Sequence, residues 1–146
     1  MVKKRLLISV SLLFILAACS KGKEETQNES TDEQKILAYA EPIVDNLLLG
    51  LNEGNYQKFS RDFDGQMKST LNSNVFMQTR QRIVERIGNY VSKRFLKFEE
   101  KGEFIGVIYT AEFEKEKGVT VRVVFRKGDE RHQVTGLWFN SPRLRG

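Results

Sequence analysis

The sequence of 146 residues is poor in the residue types that build small stable sites, with one cysteine, one histidine and two prolines. A single cysteine cannot pair within its own chain, which excludes an intrachain disulfide scaffold, and it excludes a thiolate-rich metal centre as well. The rest of the composition, 40% hydrophobic and 29% charged, is typical of one globular domain. We therefore expect no metal and no cofactor.

A large excess of positive charge is also missing. The formal net charge is +5, but Lys3, Lys4 and Arg5 supply three of these charges and lie in a segment that we expect to be removed. The surplus that remains, about +2, is weak support for binding a polyanion. The charge balance therefore favours a protein without a nucleic-acid partner.

The uncharged run at the amino terminus is too short to span a bilayer. Leu6 to Ala18 contain thirteen residues without a charge and follow a basic start, whereas a transmembrane helix needs ~20 apolar residues. A basic start and a short apolar run are typical of an export signal.

The run ends in Leu16-Ala17-Ala18-Cys19, which resembles the lipobox of bacterial lipoproteins. The resemblance implies that residues 1 to 18 are a signal peptide, that the chain is cut before Cys19, and that this cysteine carries acyl chains such as palmitate. Two or more acyl chains bind a bilayer far more firmly than one. We expect the protein at the extracytoplasmic face of the cell membrane, with membrane lipid as partner through acylated Cys19.

Residues 20 to 35 contain no large apolar side chain. Such a segment cannot offset the entropy lost on ordering. We predict that residues 19 to 35 form the lipidated cysteine and a disordered tether.

Helical patterns occupy the first part of the remaining chain. Apolar residues from Ile36 to Leu51 repeat at three- and four-residue steps, which predicts a helix with one broad buried face. Pro42 lies inside this pattern and predicts a kink or a late start. A short second helix capped by Asn55 and a third helix that stops at Gly88 follow.

The second part of the chain alternates at period two, which predicts strands. The alternating residues are Ile105, Val107, Tyr109, Ala111 and Phe113, followed by Val119, Val121, Val123 and Phe125. Short polar connections that contain glycine are suited to hairpins. The order predicts an α+β domain over residues 36 to 140, with about three helices packed on a four-stranded antiparallel meander, and a tail over residues 141 to 146.

This order of elements resembles the nuclear-transport-factor-2-like cone, also called the cystatin-like fold. Short segments resemble a small prokaryotic family of uncharacterised domains with that fold: Gly54-Asn55-Tyr56 with Phe59 and Phe63, Gly88-Asn89-Tyr90-Val91-Ser92, and Gly136-Leu137-Trp138-Phe139. The resemblance implies a curved sheet wrapped around a helix, with an apolar pocket at the wide end. Members of the superfamily include enzymes, ligand binders and assembly modules, so the fold alone does not choose a function.

Aromatic residues are the candidates for the lining of such a pocket. Most of them are also needed to fill so small a core. The candidate lining residues are Tyr39, Phe59, Phe63, Tyr90, Tyr109 and Trp138.

Chemical candidates are few, and each has an ordinary structural explanation. His132 has no visible orienting partner, which favours a surface or strand-edge position. Asp62 and Asp64 bracket Phe63, but the sequence has no recognisable tyrosine and acid pairing of the kind that ketosteroid isomerases use, which favours turn and cap roles. We therefore assign no catalytic residue.

Two runs of charge complete the candidates. Glu112, Glu114 and Glu116 suggest a calcium-binding row, but the lysines between them favour a solvated edge. The basic run comprises Arg80, Arg82, Arg86, Lys93 and Arg94, and Arg143 and Arg145 lie near residue 146. Its ordinary role is solubility, and contact with anionic lipid headgroups is the alternative.

The sequence thus favours a membrane-anchored, non-catalytic domain that binds a small apolar ligand or a protein. The protein partner would be a second copy of the chain or another envelope protein. The alternative is an isomerase- or dehydratase-like enzyme with an acid in the cone pocket.

Overall fold

The structure is a computed structural model that describes residues 24 to 146, with side chains from Asp32 onward. Five helices and four strands follow one another along this part of the chain: α1 (Glu24–Glu53), α2 (Tyr56–Phe59), α3 (Gly65–Thr70), α4 (Ser73–Ile87), β1 (Tyr90–Lys101), β2 (Phe104–Phe113), β3 (Glu116–Arg126), β4 (Val134–Asn140) and α5 (Pro142–Arg145). The α+β fold class predicted from the sequence is confirmed.

Polar side chains set the starts of the short helices. Asn55 accepts a hydrogen bond from the amide of Lys58 at the start of α2, and Asp64 accepts one from Met67 at the start of α3. Asn72 accepts from two amides at the start of α4, which ends at Gly88 with φ of 83°. A side-chain acceptor satisfies amides that have no partner within the helix. The predicted cap at Asn55 and the predicted stop at Gly88 are both confirmed.

The sheet is an antiparallel meander in the order β1-β2-β3-β4. The inward residues of its two central strands are all buried, as the period-two pattern predicts: Ile105, Val107, Tyr109, Ala111, Phe113, Val119, Val121, Val123 and Phe125. Two register shifts interrupt the pairing of β1 with β2, one between Tyr90 and Ser92 and one between Phe95 and Lys97.

The core lies between the inner face of this sheet and the apolar face of α1. That face contributes five fully buried residues: Ala40, Val44, Leu47, Leu48 and Leu51. An aromatic cluster closes the side formed by α2 and α4, where the ring centroids of Phe59 and Phe76 lie 4.6 Å apart and those of Phe59 and Phe63 lie 5.2 Å apart.

Two boundaries differ from those that the sequence predicts. Helix α1 begins at Glu24 and continues through Pro42, so residues 24 to 35 are helical rather than part of a disordered tether. The segment predicted as a tail contains α5, which is capped by Ser141. The apolar pattern of the sequence does not reveal either boundary. The first turns of α1 extend a helix that already exists, and α5 is a short capped helix, so neither segment needs a wide apolar face of its own.

The predicted signal peptide and Cys19 lie outside the described residues. Within residues 24 to 146, no helix is both long enough and apolar enough to cross a membrane.

Candidate functional site

The six predicted lining residues do not share one cavity. Phe59 and Phe63 belong to the aromatic cluster of the core, and Tyr109 is fully buried in the sheet. Trp138 pairs with Arg122 on the outer face of the sheet and is 54% exposed. The prediction of a common lining is therefore wrong for these residues, because core packing and the alternation of strand faces separate them.

The other two predicted lining residues lie at separate places. The ring of Tyr39 stacks on His132 with centroids 3.9 Å apart. Tyr90 lies at the start of β1, where its amide and carbonyl both bond to the side chain of Asn52. Tyr39 therefore packs α1 against the loop before β4, and Tyr90 links the start of β1 to α1.

A groove with a volume of about 520 Å³ lies between α1 and the edge strand β1. Ile36 of α1, Phe95 and Phe98 of β1 and Ile105 of β2 supply its apolar walls. Its charged residues are Asp32, Glu33, Lys97 and Glu100, and Leu96 completes the lining. We call this cavity the α1–β1 groove.

A bulge in β1 creates the aromatic wall of the groove. Phe95 pairs with Tyr109 and Phe98 pairs with Val107, so both rings face inward although they are three residues apart. The extra residue is Leu96, and its side chain is 52% exposed. Strict alternation would put Phe95 and Phe98 on opposite faces. The three-residue spacing of Phe95 and Phe98 within one strand is the sequence signal that could have indicated the bulge.

An ion-pair cluster around the Lys93 side chain holds α1 against β1 beside the groove. The Lys93 side chain is 5% exposed and its ammonium pairs with Glu41 and, at 2.9 Å, with Asp45. Burial lowers the pKa of Lys93, but the hydrogen bonds and charges of Glu41 and Asp45 outweigh burial and raise the pKa above its ordinary value. Lys93 therefore remains an ammonium at neutral pH and acts as a clamp.

Tyr109 completes the cluster from the sheet. The Lys93 ammonium lies 4.9 Å from the centroid of its ring. Burial raises the pKa of the Tyr109 hydroxyl, and the negative charge of Glu41 adds to the effect. Tyr109 is therefore a neutral phenol whose ring faces a cation, an arrangement that stabilises the buried charge.

His132 and the aspartates have structural contacts. His132 lies in the loop before β4 with φ of 48°, where its ring stacks on Tyr39. Asp64 caps α3, and Asp62 forms an ion pair with Arg61 at 2.8 Å. The predicted cap role of Asp64 is confirmed.

The basic run has three different environments. Arg80 donates to the carbonyls of Leu51 and Asn52 at the end of α1, each at 2.8 Å. Arg82 and Arg86 reach α5, whereas Lys93 is buried in the cluster described above. The run is therefore more than a solvated face.

One residue of the glutamate row, Glu114, has a structural role. Within the part of the chain that the structure describes, no group of three metal-binding side chains is present. The Glu114 carboxylate accepts a hydrogen bond from the Asn89 amide at 2.9 Å, which lowers the pKa of Glu114. Glu114 thereby fixes the link between α4 and β1.

This hydrogen bond predicts a pH-dependent contribution of Glu114 to stability. Because the folded-state pKa lies below the ordinary value of 4.5, the contribution is present above that pH and is lost as the pH falls through the folded-state pKa. We expect Glu114→Gln to lower the melting temperature at pH 7 and to converge with the parent in acid. Thermal unfolding followed by circular dichroism measures this. The neighbouring exposed Glu112→Gln is the control, and a difference independent of pH would contradict a charge effect.

Comparisons with known proteins place the domain in a family. The family model described as "Protein of unknown function (DUF3887)" matches residues 40–137. Among solved structures, the fold is similar to that of AclR, a putative hydroxylase from Streptomyces galilaeus, with a TM-score of 0.41 and 11% sequence identity over 74% of this chain and 93% of that chain. No curated protein matches the chain. The match to the family model covers more than half of the sequence, and the chain therefore belongs to the DUF3887 family.

Proposed function

We propose that this protein is a membrane-anchored extracytoplasmic lipoprotein whose domain binds a small apolar ligand in the α1–β1 groove. The observation that carries the binding role is the groove itself, with aromatic and aliphatic walls and a charged rim. The lipobox-like segment that ends at Cys19 supports the anchor.

The size of the groove fits a ligand. Its volume of about 520 Å³ lies within the ~300 to 1,000 Å³ of small-molecule sites, and its lining combines five apolar with four charged side chains. Phe95 and Phe98 pack against each other with centroids 4.6 Å apart, which gives the groove a rigid wall. The ion pairs of Lys93 with α1 hold the opposite wall in place.

The titration of the acids favours binding over the isomerase-like alternative. That mechanism uses an acid whose pKa is raised by an apolar pocket. Among residues 32 to 146, the carboxyl groups with shifted pKa values are those of Glu99, Glu114 and Asp129, and hydrogen bonds or ion pairs lower the pKa of each. These acids are arranged to remain ionised at the surface.

The outer sheet face is a less suitable site for a second copy or an envelope protein. Arg126 lies over the ring of Phe104 at 5.0 Å, and Arg122 lies over Trp138 at 5.4 Å. A partner on this face would have to displace or desolvate both guanidinium groups, which costs free energy. The groove is therefore the better-supported binding surface.

Two exposed residues on the same strand test the binding role. Leu96 lines the groove, whereas Val91 is 60% exposed and lies outside it. We expect Leu96→Glu to weaken binding of the neutral dye Nile red to residues 24 to 146 by at least about tenfold, since a carboxylate in an apolar contact must be desolvated. Val91→Glu should leave the affinity unchanged.

Fluorescence titration with matched unfolding curves checks this prediction. Equal binding by the parent and both variants would reject the groove as the site. An equal loss in both variants would show that added negative charge, rather than the groove, controls binding.

A further inference from the structure

Docking of α5 on α4 gathers four arginines at one end of the domain. Arg82 donates to the carbonyl of Leu144 at 2.9 Å, and Arg86 donates to the carbonyl of Arg143 at 3.0 Å. Arg143 and Arg145 lie on α5 itself. We call Arg82, Arg86, Arg143 and Arg145 the arginine patch; all four are exposed.

The patch has positive charge that no acid neutralises within residues 32 to 146, where its arginines take part in no ion pair. Arg82 and Arg86 each donate to a backbone carbonyl, and Arg145 donates to the Asn140 side chain at 3.1 Å. A guanidinium has five donors in a planar fork that matches phosphate oxygens. Several donors of the patch are therefore available to an anion.

Apolar surface adjoins the patch. Trp138 is 54% exposed, and with Arg82 and Leu144 it lines a groove of about 330 Å³ between α4 and β4. Arginine beside tryptophan and leucine is typical of surfaces that lie in the headgroup region of a bilayer. Arg122 lies over the ring of Trp138 at 5.4 Å, and 54% of the residue remains exposed beside the patch.

The patch lies at the end of the sheet that contacts the carboxyl end of α1, whereas the proposed anchor precedes α1 in the sequence. Ile36, near the start of the packed part of α1, lines the groove with Ile105 beside the β1–β2 hairpin. Asn52, at the other end of α1, bonds to the start of β1, and α5 follows β4 at that same end of the sheet. The 30 residues of α1 span ~45 Å, so contact at both ends would lay the domain along the bilayer.

We propose that the arginine patch and Trp138 form a second membrane contact, which binds anionic phospholipid headgroups and orients the anchored domain along the surface. This inference rests on the proposed lipid anchor for its geometry. The arginines and the indole of the membrane contact belong to α4, α5 and β4, whereas the proposed anchor is Cys19. The contact and the anchor can therefore be tested separately.

Trp138 is the only tryptophan of the chain, which makes its fluorescence a direct reporter of the contact. The full chain, purified from membranes, is reconstituted with neutral phosphatidylcholine vesicles and with vesicles that also contain phosphatidylglycerol, each with brominated acyl chains as quencher. We expect the fluorescence of Trp138 to be quenched in the anionic vesicles. It should not be quenched in neutral vesicles, and high salt should abolish the quenching in anionic ones.

Variants of α5 test the patch while keeping the bonds from Arg82 and Arg86 that dock α5 on α4; they remove only the bond from Arg145 to Asn140. Arg143→Gln with Arg145→Gln should lose the quenching that depends on anionic lipid. The matched control is Lys101→Gln with Arg131→Gln, which removes the same charge from exposed residues at the opposite end of the sheet and should keep the quenching.

Flotation of the vesicles separates this proposal from the anchor. Flotation of the protein with neutral vesicles reports the anchor and does not depend on the fluorescence of Trp138. Equal quenching in both kinds of vesicle, no quenching in either, or equal loss in the two double variants would overturn the membrane contact. Quenching in anionic vesicles without flotation in neutral ones would support the contact and reject the anchor.

Discussion

Gly50→Ala is expected to destabilise the domain by about 2 to 3 kcal/mol, near the upper end for an overpacked core. A Cβ atom at Gly50 would lie 2.5 Å from the backbone nitrogen of Phe59 and 2.8 Å from its Cα. Both are backbone atoms of α2, so no side-chain rotation relieves the clash. For a domain of this size, the loss lowers the melting temperature by roughly 10 °C.

The clash cannot be relieved cheaply because α2 is held where it crosses α1. The Asn46 side chain donates to the carbonyl of Lys58 at 2.7 Å, and the Asn55 amide donates to the carbonyl of Gly50 at 3.0 Å. Moving α2 away would break these bonds and open the contact between Phe59 and Phe76. Buried polar groups that lose their partners add to the cost.

Gly65→Ala provides the control for this prediction. An added Cβ at Gly65, the first residue of α3, meets no atom within 4 Å. A replacement without strain reduces the entropy of the unfolded chain, and the expected change is between zero and a gain of ~1 kcal/mol. Urea unfolding followed by circular dichroism measures both variants. Similar stabilities of the two variants would contradict the close crossing of α1 and α2.

Much of the fold could be predicted because the burial of one face leaves a regular mark on the sequence. The central strands β2 and β3 carry apolar residues at period two, and every predicted inward residue is buried. Asn55 and Asp64 are short polar residues that come directly before α2 and α3, and both cap these helices. These signals are local, and each agrees with the packing that the whole domain requires.

The candidate site was harder to predict because it depends on departures from regularity. The bulge at Leu96 puts Phe95 and Phe98 on one face and builds the wall of the groove. Lys93 was assigned to a basic run, although its spacing of two from Phe95 puts it on the same inward face. Only the approach of Glu41 and Asp45 from α1 shows why a charge is tolerated there.

The start of α1 illustrates a different limit of sequence reasoning. Residues 24 to 35 have no large apolar residue, but they continue a helix whose later turns are fixed in the core. Extending an existing helix needs no new nucleus, so polar residues can be helical there. Composition alone predicts a tether because it does not include this coupling.

Cys19→Ala is expected to abolish lipid labelling and to release the protein from the membrane. Acyl chains contribute ~0.8 kcal/mol for each buried methylene, so the loss of a multiply acylated anchor removes nearly all binding by this route. An uncut signal would leave thirteen uncharged residues, Leu6 to Ala18, which are fewer than the ~20 needed to span a bilayer.

Incorporation of labelled palmitate and sedimentation of alkaline-washed membranes measure the two effects of this substitution. Ser20→Ala is the matched control, since it changes the next residue and leaves the thiol of Cys19 in place. It should retain both the label and the membrane fraction. A Cys19→Ala protein that still incorporates label, or that resists the wash as the parent does, would contradict an anchor at this sulfur, because no other cysteine in the chain can carry the thioether.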